Sequence, residues 1–132
     1  MISEWKVGHT RVLQLHSCSR HNQQSLLGAV GMLVVHAAFP IAAEHRERAT
    51  ELVRELAENS REEEGIIEYR VAVDVDDENL FRFFEQYEDE AAFGAHAESD
   101  HFEQFEAELP ELLAGEPAVT RFEVESATDI EL

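Results

Sequence analysis

Residues Leu80 to Phe102 read LFRFFEQYEDEAAFGAHAESDHF, and these 23 side chains decide the fold. Phe81, Phe83, Glu85 and Tyr87 alternate with Leu80, Arg82, Phe84 and Gln86. Period-two alternation describes a strand, and aromatics in both sets mean that neither face is simply solvated. Asp89 then opens a short helix whose Ala92, Phe93, His96 and Ala97 share one stripe. Ser99 caps another helix, with apolar positions at Phe102, Phe105, Leu109, Leu112 and Leu113. An aromatic strand running into a helix that turns a histidine back toward it outlines a pocket for a flat organic molecule.

Working outward, Met32 to Phe39 reads as a strand ended by Pro40, which has no N–H to give a ladder. A helix is expected from about Ala42 to Glu63, because Ala49, Leu52, Val53, Leu56 and Ala57 recur at spacings of three and four. Glu44 with Arg48 and Arg54 with Glu58 stand four apart on its wet face. Gly65 suits the left-handed position just past a helix end. Ile66 to Val75 is a second strand, and Asp76 to Asn79 a polar turn into the aromatic strand. Beyond the last helix, Gly115 and Pro117 interrupt the chain before a final strand from Ala118 to Glu125. The order is β-α-β-β-α-β with the second helix broken in two. This predicts an α+β, ferredoxin-like domain with one antiparallel sheet and its helices on one face. Val, Ile and Phe on both sides of the strands call for a second layer over the other face, and a twin subunit is the economical source of one.

The chain has 132 residues, which suits one domain with a modest core, placed here at residues 32–132. Its 29 acidic residues against 10 basic ones give a formal charge of −19, and Lys6 is the only lysine. Such a surface repels nucleic-acid phosphates and anionic lipid, since neutralising phosphates requires a basic patch. The acids are interspersed among regular apolar positions, which is the pattern of a folded domain with an anionic surface. In this acidity and lack of lysine the chain resembles proteins of salt-accumulating halophiles. Cys18 is the only cysteine, so an intrachain disulfide and a thiolate metal cluster are excluded, and a reducing cytoplasm is the expected compartment. Residues 1–31 carry a net charge of +2 and show no sustained period, so they read as a flexible N-terminal arm or a non-native extension. The apolar stretch from Leu26 to Phe39 mimics a signal peptide, but Gly28, Gly31 and His36 interrupt it. No run approaches the roughly 18 apolar residues that cross a bilayer.

The order E-x-aromatic, E-A, A-H, S-x-x-F, carried by Glu85 to Phe102, resembles the antibiotic biosynthesis monooxygenase (ABM) domain family, with similarity extending over roughly Met32 to Ser126. The resemblance implies a dimeric α/β barrel, two sheets paired face to face. It also implies cofactor-independent oxidation of a phenolic or quinol-like compound, in which the deprotonated substrate reacts with dioxygen itself. The family has a histidine at the position of His96 and often a tryptophan at that of Tyr87. Haem-degrading relatives use an asparagine, a tryptophan and a histidine where this chain has Ala38, Tyr87 and Glu106.

His96 is the candidate catalytic residue, since an imidazole exchanges its proton near neutral pH and can serve as base, acid or donor to a substrate oxygen. Tyr87, Tyr69, His36, Phe83 and Phe93 are candidate substrate contacts, the first by stacking or hydrogen bonding. Phe39, Phe81 and Phe84 belong either to the core or to a pocket wall. Arg70 and Arg82 read as partners of nearby acids. Glu98 and His101 have E-x-x-H spacing, but the cap at Ser99 falls between them, and no metal site is expected. There is no G-x-G-x-x-G, phosphate loop or G-x-S-x-G, so no nucleotide, flavin or serine-hydrolase chemistry is expected, and no cofactor. The expected partners are a second copy of the chain and a small aromatic substrate, with no nucleic acid and no membrane. Two alternatives stand beside the oxygenase. One is an isomerase of small keto or phosphorylated sugars, for which Arg70, Arg82 and Arg121 would form the anion site. The other is a non-enzymatic ligand-binding or stress-response dimer.

Overall fold

A computed structural model describes residues 31–132, so the readings made for residues 1–30, Cys18 included, lie outside the described residues. The elements follow as β1 (Met32–Pro40), α1 (Arg46–Ser60), β2 (Ile66–Asp74), β3 (Asp77–Tyr87), α2 (Glu90–Ala97), α3 (Asp100–Leu112) and β4 (Ala118–Val124). The strands form one antiparallel sheet in the order β2-β3-β1-β4. This is the expected ferredoxin-like α+β arrangement, with the first strand central and the last at an edge.

Alternation along the strands sorts the two faces. Leu33, Val35, Ala37 and Phe39 of β1 and Phe81, Phe83, Glu85 and Tyr87 of β3 are buried beneath the helices. Tyr69 of β2 joins them. The apolar stripe of α1, with Leu52, Val53 and Leu56, and that of α3, with Phe102, Phe105 and Leu109, close over this face. A second cluster of Leu33, Val35, Tyr87 and Phe93 lies under α2. On the opposite face Phe84 is 41% exposed and Phe122 49% exposed, with Met32, Val34, His36 and Ala38 half-buried around them. Exposed aromatics on an inner strand and on the neighbouring edge strand are what the sequence predicts for a face that a further layer covers.

Local chemistry corrects four expectations. The helix expected from Ala42 to Glu63 begins as a short 3-10 turn at Ala43–His45 and stops at Ser60, which leaves Glu63 in a loop. Val75 and Asp76 alone make the β2–β3 turn, because Asp74 Oδ1 accepts from Asp76 N at 2.8 Å and Asp77 already belongs to β3. Arg48 forks onto Glu108 of α3 at 2.5 and 2.8 Å instead of turning to Glu44, so it ties the two long helices together. Gly65 is not in the left-handed region. It is needed because a Cβ there would sit 2.3 Å from the Ala92 Cβ, so the loop after α1 rests directly on α2.

Asp89 and Ser99 do cap their helices, accepting from Ala92 N at 2.8 Å and from Phe102 N at 3.2 Å. Ser99 also donates its hydroxyl to the His96 carbonyl at 2.8 Å, which fixes the corner between α2 and α3. No helix among the described residues is long and apolar enough to cross a membrane.

Candidate functional site

The two apolar clusters do not merge. Between them, under the helices, lies a cavity of about 380 Å³. Its floor is Val35 and Ala37 at the centre of the sheet, and its walls include Phe39, Phe83, Phe93, Phe102 and Phe105. The polar groups that reach it are Tyr69, Glu85, His96 and Arg121. A largely apolar chamber with a few convergent polar groups is the usual form of a small-molecule site.

His96 is only 3% exposed, near the C-terminal end of α2. Its ring packs 5.2 Å from Tyr69, 5.7 Å from Tyr87 and 5.1 Å from Phe102, centroid to centroid. Nδ1 lies 2.9 Å from Glu63 Oε2, and the Nε2 of His101 lies 2.6 Å from the same oxygen. Burial raises the Glu63 pKa, but the hydrogen bonds from His96 and His101 outweigh it and hold the carboxyl below its ordinary range. An ionised carboxylate only accepts, so both imidazoles must donate to it. In neutral His96 the proton is therefore on Nδ1, and Nε2 carries the lone pair. That Nε2 is buried and has no hydrogen-bond partner. Glu63 thus fixes the tautomer that leaves a ring-nitrogen lone pair at the wall of the cavity.

Glu85 is a buried acid that lines the same cavity. It accepts from the Tyr87 hydroxyl at 2.6 Å. Burial pushes the Glu85 pKa up, and the neighbouring His96 charge and the Tyr87 hydrogen bond offset this only in part. Burial and then the Glu85 charge also hold the Tyr69 and Tyr87 phenols well above their usual range. The two phenols are therefore hydrogen-bond donors at neutral pH.

Of the residues singled out in the sequence, His96, Tyr69, Phe83 and Phe93 line one cavity. Tyr87 is fully buried and does not line the cavity; it donates to Glu85, which does. His36 is not brought there. It has even parity on β1 and faces the bare side of the sheet, 3.4 Å from Arg82 Nη1. Arg82 pairs with Asp74 at 2.8 Å and Arg70 approaches Glu68 at 3.9 Å, so the three arginines offered as a sugar-phosphate site do not converge. Glu98 is not the partner of His101. Glu63, His96 and His101 place one donor atom each within 4.8 Å of one another, a set of the type that a transition metal accepts.

Glu85 and Glu63 were not foreseen as parts of the site, and Arg121 was offered only with Arg70 and Arg82, which lie elsewhere. Glu85 left a signal, for it is the one charged residue in the inward set of β3. Glu63 left none. It lies within a run of three glutamates, 33 positions from His96.

The family model described as antibiotic biosynthesis monooxygenase matches residues 32–108. YcnE of Bacillus subtilis (strain 168) is 37% identical over 93 residues, covering 70% of this chain and 98% of that protein. A solved antibiotic biosynthesis monooxygenase superposes with a TM-score of 0.66 at 28% identity, over 70% of this chain and 97% of its own. The structure of Rv0793 from Mycobacterium tuberculosis, at 24% identity, shares the fold with a TM-score of 0.71, over 75% of this chain and all of its own. By domain match, relatives and architecture, the chain belongs to the antibiotic biosynthesis monooxygenase family.

Proposed function

We propose that this protein is a cofactor-independent monooxygenase that oxidises a phenolic or quinol-like small molecule with dioxygen. Family membership supports a monooxygenase-like function. The observation that carries the finer reading is the unpartnered Nε2 of His96, held by Glu63 at the wall of a largely apolar cavity. Nε2 takes the phenolic proton, and the imidazolium is steadied by the Glu63 carboxylate. The electron-rich phenolate gives an electron to dioxygen, and the pair combines at a ring carbon to form a C–O bond. The peroxide anion recovers the proton from His96. Loss of the ring C–H and cleavage of the O–O bond then release water and leave a quinone. Substrate and dioxygen thus become quinone and water, with every atom and electron accounted for. The apolar walls limit the water around the phenolate and its radical, which restrains side reactions.

A second copy of the chain is part of this reading. The exposed Phe84 and Phe122 lie on the bare sheet face, and pairing two such faces covers both. Purified protein incubated with reduced quinones and anthrone-type phenols is expected to consume oxygen. A panel of such phenols that gives no uptake above the uncatalysed rate overturns the assignment.

A further inference from the structure

Arg121 has a place in the site that the reaction above does not use. Residues Tyr69, Glu85, Val35 and Arg121 form one row across all four strands, each paired with the next, and all four line the cavity. Two strand spacings put the Glu85 and Arg121 backbones about 10 Å apart, with the small Val35 between them. The floor is therefore apolar in the middle and polar at both ends. At the far end the guanidinium is nearly enclosed, with 17% of the side chain exposed. Its Nη2 is taken up by Glu90 and by Glu123, the latter at 3.2 Å, and the Phe93 ring lies 5.3 Å from its centre. Its Nη1 is buried and has no partner. A buried N–H without an acceptor is a costly state, and an acceptor supplied by a ligand removes the cost.

We propose that Arg121 forms a second recognition point that binds a neutral carbonyl oxygen of the substrate, at the opposite end from the hydroxyl presented to His96. This rests on the cavity being the substrate site. A carbonyl suits better than a carboxylate, because Glu90 and Glu123 already balance the guanidinium charge and a third carboxylate would meet their repulsion. The substrate class that follows is a flat hydroxyaryl ketone, with its two oxygens at opposite ends of the ring system.

Fluorescence titration with three probes tests this: hydroxyacetonaphthone, hydroxynaphthoate and plain naphthol. The wild-type protein is expected to bind the ketone at least tenfold more tightly than either of the others. Arg121→Lys keeps the charge beside Glu90 but loses the planar fork, and Arg121→Gln removes the charge. In both variants the ketone preference is expected to vanish, while naphthol affinity changes less than threefold. The proposal is overturned if wild-type protein binds ketone and naphthol equally, if the carboxylate binds best, or if Arg121→Lys retains the preference. If none of the three probes binds wild-type protein, the cavity itself is not the substrate site, and the proposed function fails with it.

Discussion

Glu63 Oε2 stands 2.9 Å from His96 Nδ1, across 33 residues of sequence, and this contact decides which ring nitrogen carries the proton. Removing the negative charge while keeping the shape unsettles that choice, because the glutamine amide can donate as well as accept. Glu63→Gln is therefore expected to lower kcat by about tenfold to a hundredfold, the scale of a misoriented base, with KM changed little. Steady-state oxygen uptake in saturating phenol measures it. An unchanged kcat would remove Glu63 from the account.

Half-buried Glu63 and buried Glu85 give opposite pH signatures. Glu63 has a depressed pKa, so the stability it contributes is present above the ordinary carboxylate range and lost as pH falls through the lowered value. Glu85 has a raised pKa, so its contribution is fullest below the ordinary range and is lost as pH rises through the raised value. Thermal melts from acid to neutral pH are expected to show Glu85→Gln gaining on wild type as pH rises. Glu63→Gln is expected to lose ground to wild type over the same climb. Parallel curves for both variants contradict these assignments.

The contact of Gly65 with Ala92 is a steric prediction. Gly65→Ala is expected to destabilise by about 1–3 kcal/mol, the usual cost of an overpacked contact. Trimming the opposing methyl in Gly65→Ala/Ala92→Gly restores part of this, since the nearest atom is then the Ala92 Cα at 3.3 Å. Urea unfolding of both variants reads the difference. A double variant no more stable than Gly65→Ala means that the clash is not the cause.

On the bare face of the sheet, Phe84→Asp combined with Phe122→Asp puts two charges where a second sheet is proposed to pack. Sedimentation in concentrated potassium chloride is expected to show dimers for the wild type and monomers for the variant. If the wild type sediments as a monomer, the pairing is wrong.

The fold was legible because burial imposes a period. The F-x-F-x-E-x-Y register of β3 and the stripe of α1 place side chains on a face without knowledge of their neighbours. The site was legible only where it shares that period. Tyr69, Phe83 and His96 lie on inward positions, and parity alone would have sent His36 outward. Glu63 could not be found this way, since a loop residue has no period, and the α1 pattern masked where the helix ends. Arg121 was named only in a sugar-phosphate site with Arg70 and Arg82, because the strand pattern does not show that Phe93 and Glu90 of α2 cover it.

The most direct test of the account compares wild-type protein and His96→Ala under isotopically labelled dioxygen, with a hydroxyaryl ketone as substrate and mass spectrometry of the product. Wild-type protein is predicted to place one labelled oxygen in each quinone formed, and His96→Ala, assayed well below its melting temperature, to form that product at least tenfold more slowly. Equal rates in the two proteins, or product without label, would contradict the claim that the buried imidazole starts the reaction.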